Sequence, residues 1–218
     1  MNRKNSSTDK LDKEVVIEAG FDVLAGHLNV PNEPKGVVLF AHGSGSSRKS
    51  PRNLAVARAL NQLGLTTLLF DLLTQNEESD RANVFDIELL AKRLTDATTW
   101  LGKQEAIATL SVGYFGASTG AVAALWAAAD PASRVKAVVS RGGRADMAGP
   151  KLPAVRAATL LIVGGADDVV LDLNRQAQAQ LRCQNQLEII QGATHLFEEP
   201  GALEQVADLA GVWFLRYL

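Results

Sequence analysis

A serine stands at the centre of the most informative motif in the chain, Gly116-Ala117-Ser118-Thr119-Gly120. The apolar run LSVGYF precedes this G-x-S-x-G motif and the apolar stretch STGAVAALWAAA continues from it, so it joins a predicted strand to a predicted helix. In that setting the serine lies on a strained turn that exposes its hydroxyl group, and glycines are needed where side chains would collide with backbone. We expect Ser118 to be a nucleophile. The alternative is an ordinary helix-capping serine between small residues.

A serine nucleophile needs a base, and His195 is the predicted one. Where this motif is catalytic, the chain order is serine, then an acid, then histidine. His195 follows the apolar run LEII and precedes the last predicted helix. The chain contains two other histidines: His27 lies in an early hairpin, and His42 belongs to a glycine turn.

The acid that would orient the base is expected just after the apolar run ATLLIV, where Asp167 and Asp168 follow a pair of glycines. Asp167 is preferred because it is the first carboxylate after the glycines, and Asp168 suits the N-cap of a helix that starts near residue 169. Asp168 stays open as an alternative. Asp146, after the run KAVVS, is a third option.

The loop HGSG after the run VVLFA is predicted to bind an oxyanion. Acyl transfer needs two backbone N–H donors that point at the developing negative charge. We assign one to Thr119, the residue after the nucleophile, and the other to Ser44, since Gly43 and Gly45 leave its backbone exposed.

The same loop nearly matches a phosphate-binding loop, which would indicate a nucleotide site instead. Arg48 stands where that loop needs its last glycine, and Pro51 sets the start of the helix beyond Lys49. The phosphate-loop alternative is therefore disfavoured.

Composition narrows the functional class. The chain has 218 residues, with 22 Lys and Arg against 24 Asp and Glu and a net charge of −2, so nothing indicates a nucleic-acid or membrane partner. No apolar run has the length of a membrane span, no signal peptide is recognisable, and Cys183 is the only cysteine. We therefore expect a cytoplasmic protein with a flexible tail over residues 1–12 and one domain over residues 13–218.

The pattern of apolar runs predicts an α/β fold. EVVIEA and FDVLAGHLNVP alternate as an N-terminal antiparallel hairpin, and six short apolar runs then read as strands buried on both faces of a mostly parallel sheet. Helices are predicted on both faces of this sheet of about eight strands, over these ranges: 51–63, 86–100, 118–129, 170–181 and 200–218.

Four segments in order, HGSGSSRKSPRN, GYFGASTGA, GGADD and GATHLFEEPG, resemble α/β-hydrolases of the dienelactone hydrolase group. The particular similarity is to a bacterial subset found alone or fused behind phosphoribosyltransferase-like domains. It implies the eight-stranded α/β-hydrolase fold, a Ser118–His195–Asp167 triad and ester hydrolysis as a class. The chain departs from authentic dienelactone hydrolases at one position, because they carry cysteine where Ser118 stands.

The expected function is hydrolysis of a small carboxylic ester or lactone through an acyl-enzyme, with no cofactor and no metal. The alternatives are an acyltransferase or peptidase that uses the same site, and a non-catalytic binding module with this fold. The sequence leaves the natural substrate and the oligomeric state undecided.

Arginines near the predicted rim of the site are candidate ligands for an anionic substrate group: Arg48, Arg141 and Arg144. The alternative is a solvated rim in which they pair with acidic residues such as Glu77, Glu78 or Asp80. A segment of about a dozen residues, 72–84, is long enough to contribute to a cap and too short for a lid domain.

Overall fold

Eight strands form one sheet in the computed structural model, which describes residues 11–218. The strands are β1 (Leu11–Ala19), β2 (Asp22–Val30), β3 (Gly36–Ala41), β4 (Leu65–Phe70), β5 (Val112–Ala117), β6 (Ala137–Arg141), β7 (Ala158–Gly164) and β8 (Asn185–Ile190). Their order across the sheet is β1-β2-β4-β3-β5-β6-β7-β8. β2 pairs antiparallel with β1 and with β4, and the other neighbours pair parallel. The predicted sheet with its N-terminal hairpin is confirmed.

Helices cover both faces of the sheet. They are α1 (Pro51–Gln62), α2 (Gln75–Glu78), α3 (Arg81–Val84), α4 (Ile87–Leu101), α5 (Thr119–Ala128), α6 (Asp168–Gln180) and α7 (Ala202–Tyr217), with a 3₁₀ segment at Ala145–Ala154. The apolar cluster on one face includes α1 and α7, and the cluster on the other includes α4, α5 and α6. The functional loops therefore leave a sheet that is held rigidly from both sides.

Strand β3 shows why short apolar runs become central strands. All six of its residues are buried. Val37 and Leu39 belong to the cluster on the α4–α5 face, whereas Val38 and Phe40 belong to the cluster on the α1–α7 face. Because successive side chains of a strand point to opposite faces, a strand covered on both sides has to be apolar at every position.

Two predicted boundaries differ from the structure. The helix predicted over residues 51–63 ends at Gln62, and Leu63 is its 38% exposed C-cap. Strand β1 begins at Leu11, inside the segment predicted as a tail. The rest of that segment, residues 1–10, lies outside the described residues.

The buried Arg93 on α4 ties the expected cap segment to the hairpin. Its guanidinium group donates to the Ala19 carbonyl at 2.8 Å and the Asp22 carboxylate at 2.7 Å, and it also pairs with Glu77 of α2. Glu77 in turn completes a capping box with Thr74 at the start of α2. The short helices α2 and α3 are thereby anchored to the body of the domain.

Replacing Arg93 by methionine should lower the free energy of unfolding by about 3 kcal/mol, because it leaves partly buried acceptors without their cation. Urea unfolding of the purified protein would measure the loss. Arg175→Met is a matched control, since Arg175 makes only an exposed ion pair with Asp172, and its effect should stay below about 0.5 kcal/mol. Equal effects of the two substitutions would contradict the anchoring role of Arg93.

Candidate active site

The serine of the G-x-S-x-G motif occupies a strained backbone position between β5 and α5. Ser118 has φ 52° and ψ −120°, and its side chain makes no capping hydrogen bond although it stands at the N-cap of α5. A Cβ atom on Gly120 would lie 2.1 Å from the Ala41 carbonyl oxygen, and one on Gly116 would lie 2.4 Å from the Cα of Ala121. Both glycines are therefore required by close packing of backbone, and the capping-serine alternative does not describe this turn.

His195 links the serine to a carboxylate. Its Nδ1 lies 2.8 Å from Oδ2 of Asp167, and its Nε2 lies 3.4 Å from Oγ of Ser118. The carboxylate can only accept, so the neutral imidazole carries its proton on Nδ1 and presents the lone pair of Nε2 to the serine hydroxyl. The long Nε2–Oγ separation is common in ligand-free sites of this kind. The structure brings the three residues of the predicted triad together.

The predicted N-cap of α6, Asp168, is wrong by one residue. The N-cap of α6 is Asp167 itself, and Asp168 is the first helical residue. The Asp167 side chain makes no capping bond and turns to His195 instead. Asp146 is engaged elsewhere, in a two-bond ion pair with Arg144 at 2.9 and 2.8 Å.

The HGSG loop lies directly against the nucleophile turn. A Cβ on Gly43 would lie 3.1 Å from both the Ala117 carbonyl oxygen and the Ser118 Cβ. The backbone N–H of Ser44 donates to Oγ1 of Thr119 at 2.7 Å. The two residues predicted to supply oxyanion donors are therefore adjacent, and the N–H of Ser44 is already bonded to the side chain of Thr119.

Sequence reasoning missed the part that His42 plays in shaping this loop. The Nε2 atom of His42 accepts the N–H of Leu72 at 3.1 Å, and its Nδ1 lies 3.0 Å from the carbonyl oxygen of Gly43. These two contacts require the tautomer with the proton on Nδ1. The imidazole thus bridges the loop after β3 to the segment after β4.

A small cleft of about 20 Å³, room for about one water molecule, opens beside the HGSG loop. Leu72, Leu73 and Val84 of the expected cap segment contribute apolar walls, and Ser44 and Thr119 also line it.

Most of the rim arginines are paired with carboxylates. The side chain of Arg48 donates to Asp71 at 2.7 Å and to Glu14 at 3.2 Å, and its backbone N–H also bonds to Asp71. Arg144 is bound by Asp146, as described above. The pairing expected in the alternative interpretation is correct in kind, but the named acidic partners were wrong. Arg141, by contrast, makes no ion pair with a carboxylate among residues 11–218.

Two further features of residues 11–218 bear on the class of site. No helix in this range is long and apolar enough to cross a membrane, and no group of three or more His, Cys, Asp or Glu side chains is placed to hold a metal ion.

A family profile described as "Alpha/beta hydrolase domain" matches residues 34–208. The chain belongs to the α/β-hydrolase family. A solved structure of a dienelactone hydrolase from Anabaena variabilis is 55% identical to this α/β-hydrolase, covers 96% of it and 99% of its own chain, and superposes with a TM-score of 0.93. The expected resemblance to the dienelactone hydrolase group is confirmed.

More distant structures support the fold alone. Est1E from Butyrivibrio proteoclasticus is 16% identical, with a TM-score of 0.79, over 93% of this chain and 98% of its own. An esterase domain from Rhodothermus marinus is 20% identical, with a TM-score of 0.76, over 95% of this chain and 99% of its own.

Two curated proteins from strains of Mycobacterium tuberculosis are 63% identical over 207 residues and carry a provisional phosphoribosyl transferase name. The alignment takes in 95% of this α/β-hydrolase but 47% of each of those proteins. The chain therefore spans about half the length of these relatives, and their name describes the longer proteins.

Proposed function

We propose that this α/β-hydrolase cleaves a small carboxylic ester or lactone through a serine acyl-enzyme. The observation that supports this most directly is the continuous path from the Asp167 carboxylate through His195 to the Ser118 hydroxyl at the carboxyl edge of the sheet. The similarity to the Anabaena protein, which is named a dienelactone hydrolase, also supports an ester or lactone as the substrate proposed for this chain. The proposal concerns the segment that this chain shares with the longer relatives.

The proposed reaction has two steps. His195 Nε2 takes the hydroxyl proton as Ser118 Oγ attacks the carbonyl carbon, and the imidazolium returns that proton to the leaving alkoxide as the ester bond breaks. Water then attacks the acyl-enzyme with the same base, releasing the carboxylic acid and restoring the serine. Asp167 holds the imidazole in the Nδ1–H tautomer and stabilises its positive charge in both steps.

The same geometry refines the oxyanion site. The backbone N–H of Thr119 remains the first proposed donor, as expected for the residue after the nucleophile. Because Oγ1 of Thr119 accepts the N–H of Ser44, its own proton is free to point at the oxyanion. In this proposal the N–H of Ser44 acts through the threonine hydroxyl, which it polarises and orients.

A fluorophosphonate probe tests the proposed function first, because it labels only an activated serine. The wild type should give one adduct, located at Ser118 by peptide mapping. Ser118→Ala should give none, and His195→Ala should slow labelling by about 10²-fold or more, since the base is lost. Folding of each variant would be checked by circular dichroism. A folded wild type that is not labelled would refute the serine mechanism.

Asp167→Asn should lower kcat for an activated ester by about 10³- to 10⁴-fold, because an amide favours the wrong imidazole tautomer. Asp168→Asn is a matched control one residue away that should leave kcat unchanged. Steady-state hydrolysis of 4-nitrophenyl acetate would compare them. The assignment of the acid would be reversed by the opposite ranking of the two variants.

Thr119→Val keeps the shape of the side chain but removes its hydroxyl group, and it should lower kcat by about 10²-fold if that hydroxyl donates to the oxyanion. Thr119→Ser restores the hydroxyl and should recover most of the rate. If the valine variant were as fast as the wild type, the substrate would displace the hydroxyl, and Ser44 would bind the oxyanion directly.

A further inference from the structure

A buried amide on α6 reaches the turn that follows β6. The side chain of Asn174 is fully buried, and its Nδ2 lies 2.7 Å from the carbonyl oxygen of Gly143 and 2.8 Å from that of Val170. Both partners can only accept, so the nitrogen donates a proton to each and the orientation of the amide is determined. The bond to Val170 stays within the helix, whereas the bond to Gly143 ties α6 to a segment 31 residues earlier in the chain.

The segment held in this way, which we call the 142–143 turn, lies between the nucleophile and the base. A Cβ built on Gly142 would lie 3.2 Å from the carbonyl oxygen of His195 and 3.6 Å from its ring atom Cε1. A Cβ built on Gly143 would lie 3.6 Å from the carbonyl oxygen of Ser118. A displacement of the 142–143 turn would therefore change the position of the imidazole relative to the serine.

The sheet anchors the first residue of this turn, and α6 anchors the second. The N–H of Gly142 donates to the carbonyl oxygen of Ile162 at 2.8 Å, which continues the pairing of β6 with β7 past Arg141. The carbonyl oxygen of Gly143 lies beyond that pairing, and it accepts from Asn174. Past the edge of the sheet, the position of the turn thus depends on the helix.

The same helix carries the acid of the proposed triad. Asp167 is the N-cap of α6, and Asn174 lies about two helical turns further along. The helix therefore holds His195 from two directions, because Asp167 accepts from Nδ1 at 2.8 Å and Asn174 fixes the turn beside Cε1. Since both residues belong to one helix, the acid and the 142–143 turn keep their spacing.

The amide carries a cost that packing alone does not explain. Its Oδ1 is enclosed without a hydrogen-bond partner among residues 11–218. An enclosed acceptor that has lost water destabilises the folded state, whereas alanine would bury no polar atom and is the better helix former. What asparagine adds at this position is the bond to Gly143.

We propose that Asn174 is a positioning residue for the proposed reaction: its bond to the carbonyl oxygen of Gly143 fixes the 142–143 turn against His195 and keeps Nε2 directed at the Ser118 hydroxyl. This inference rests on the proposed function for the reaction that it affects. Asn174 acts through the turn and not on the substrate, so its loss should change kcat rather than KM.

Asn174→Ala removes both donors and should lower kcat for 4-nitrophenyl acetate by about 10- to 100-fold, because a misplacement of about 1 Å can cost that much. Both steps of the reaction use the same base, so KM should stay within about twofold of the wild-type value. Steady-state hydrolysis measures the two constants, and circular dichroism checks that the variant is folded.

Asn174→Asp keeps the shape of the side chain and makes the bond dependent on pH. Burial raises the pKa of the introduced carboxyl group, and in its neutral form this group can donate to the carbonyl oxygen of Gly143. Between about pH 6 and pH 9, kcat relative to the wild type should fall as pH rises, because the ionised group can only accept. The same ratio for Asn174→Ala should not change with pH.

Asn61→Ala is the matched control, because the amide of Asn61 also ties a helix to the sheet. Its Nδ2 donates to the carbonyl oxygen of Leu65 at 2.9 Å and to Oγ1 of Thr67 at 3.0 Å, at the amino end of β4. This variant should lower the free energy of unfolding in urea and leave kcat unchanged. The positioning role is wrong if folded Asn174→Ala keeps the wild-type kcat, or if both alanine variants lower kcat equally.

A readout that needs no turnover separates this inference from the proposed function. The chain has three histidines, so a ¹H–¹³C NMR spectrum of tag-free protein labelled at histidine Cε1 gives three signals, and His195→Ala identifies that of His195. Because this Cε1 lies beside the 142–143 turn, its signal should shift in Asn174→Ala and stay in place in Asn61→Ala.

The combination of NMR and labelling distinguishes the two possible failures. A shifted His195 signal in Asn174→Ala, with a folded wild type that the fluorophosphonate probe does not label, would sustain the anchoring by Asn174 and refute the serine mechanism. Labelling of the wild type and Asn174→Ala at equal rates, with an unchanged His195 signal, would sustain the serine mechanism and refute the anchoring.

Discussion

The contact on which the site depends is the close approach of backbone at the start of α5. Gly120 lies where any Cβ would fall 2.1 Å from the carbonyl oxygen of Ala41 and 2.5 Å from that of His42. This approach brings the end of β3, and with it the HGSG loop, against the turn that carries Ser118. The φ of 52° at Ser118 is tolerated because β5 and the almost wholly buried α5 determine the positions of both ends of the turn. One packing contact thus positions both the turn that carries Ser118 and the HGSG loop.

Electrostatics then fixes the loops around that contact. Arg48 and Asp71 join the HGSG loop to the segment after β4, and His42 adds a second bridge through the N–H of Leu72. Arg93 likewise joins α4 to α2 through Glu77. Burial raises the pKa of Glu77, but the hydrogen bonds from Thr74 and then Arg93 outweigh burial and hold that pKa below its usual value. Since that carboxyl is favoured as an anion in the folded state, its stabilising contribution is present at neutral pH and is lost as pH falls below about 4.

The arginines at the edge of the sheet fall into two groups, those paired with a carboxylate and one that is not paired among the described residues. Arg48, Arg52 and Arg144 each find a carboxylate within 2.8 Å, and each holds one segment of chain to another or to its own turn. Arg141 holds nothing by hydrogen bonding among the described residues, although it is more deeply buried than any of them. Within residues 11–218, Arg141 is therefore not part of the ion-pair network that holds this rim.

The sequence by itself determined the class of fold and the positions of the principal groups. Runs of apolar residues with turns between them specify central strands through burial on both faces, and G-x-S-x-G between a strand and a helix has few backbone solutions. Ser118, Asp167 and His195 could be selected from the sequence because each lies just after a predicted strand and they occur in the expected chain order. Local patterns carry this information because it depends on the periodicity of burial and on steric limits near each residue.

Tertiary structure alone decided which polar groups meet. Asp167 stands at an N-cap, where local propensity would turn its side chain to the helix, and only the approach of the loop after β8 turns it to His195. The bond from Ser44 to the Thr119 hydroxyl, and the isolation of Arg141 among paired arginines, likewise join or separate residues far apart in the chain. A hydrogen bond or ion pair depends on distances of a few tenths of an ångström between elements, and no local sequence pattern encodes those distances.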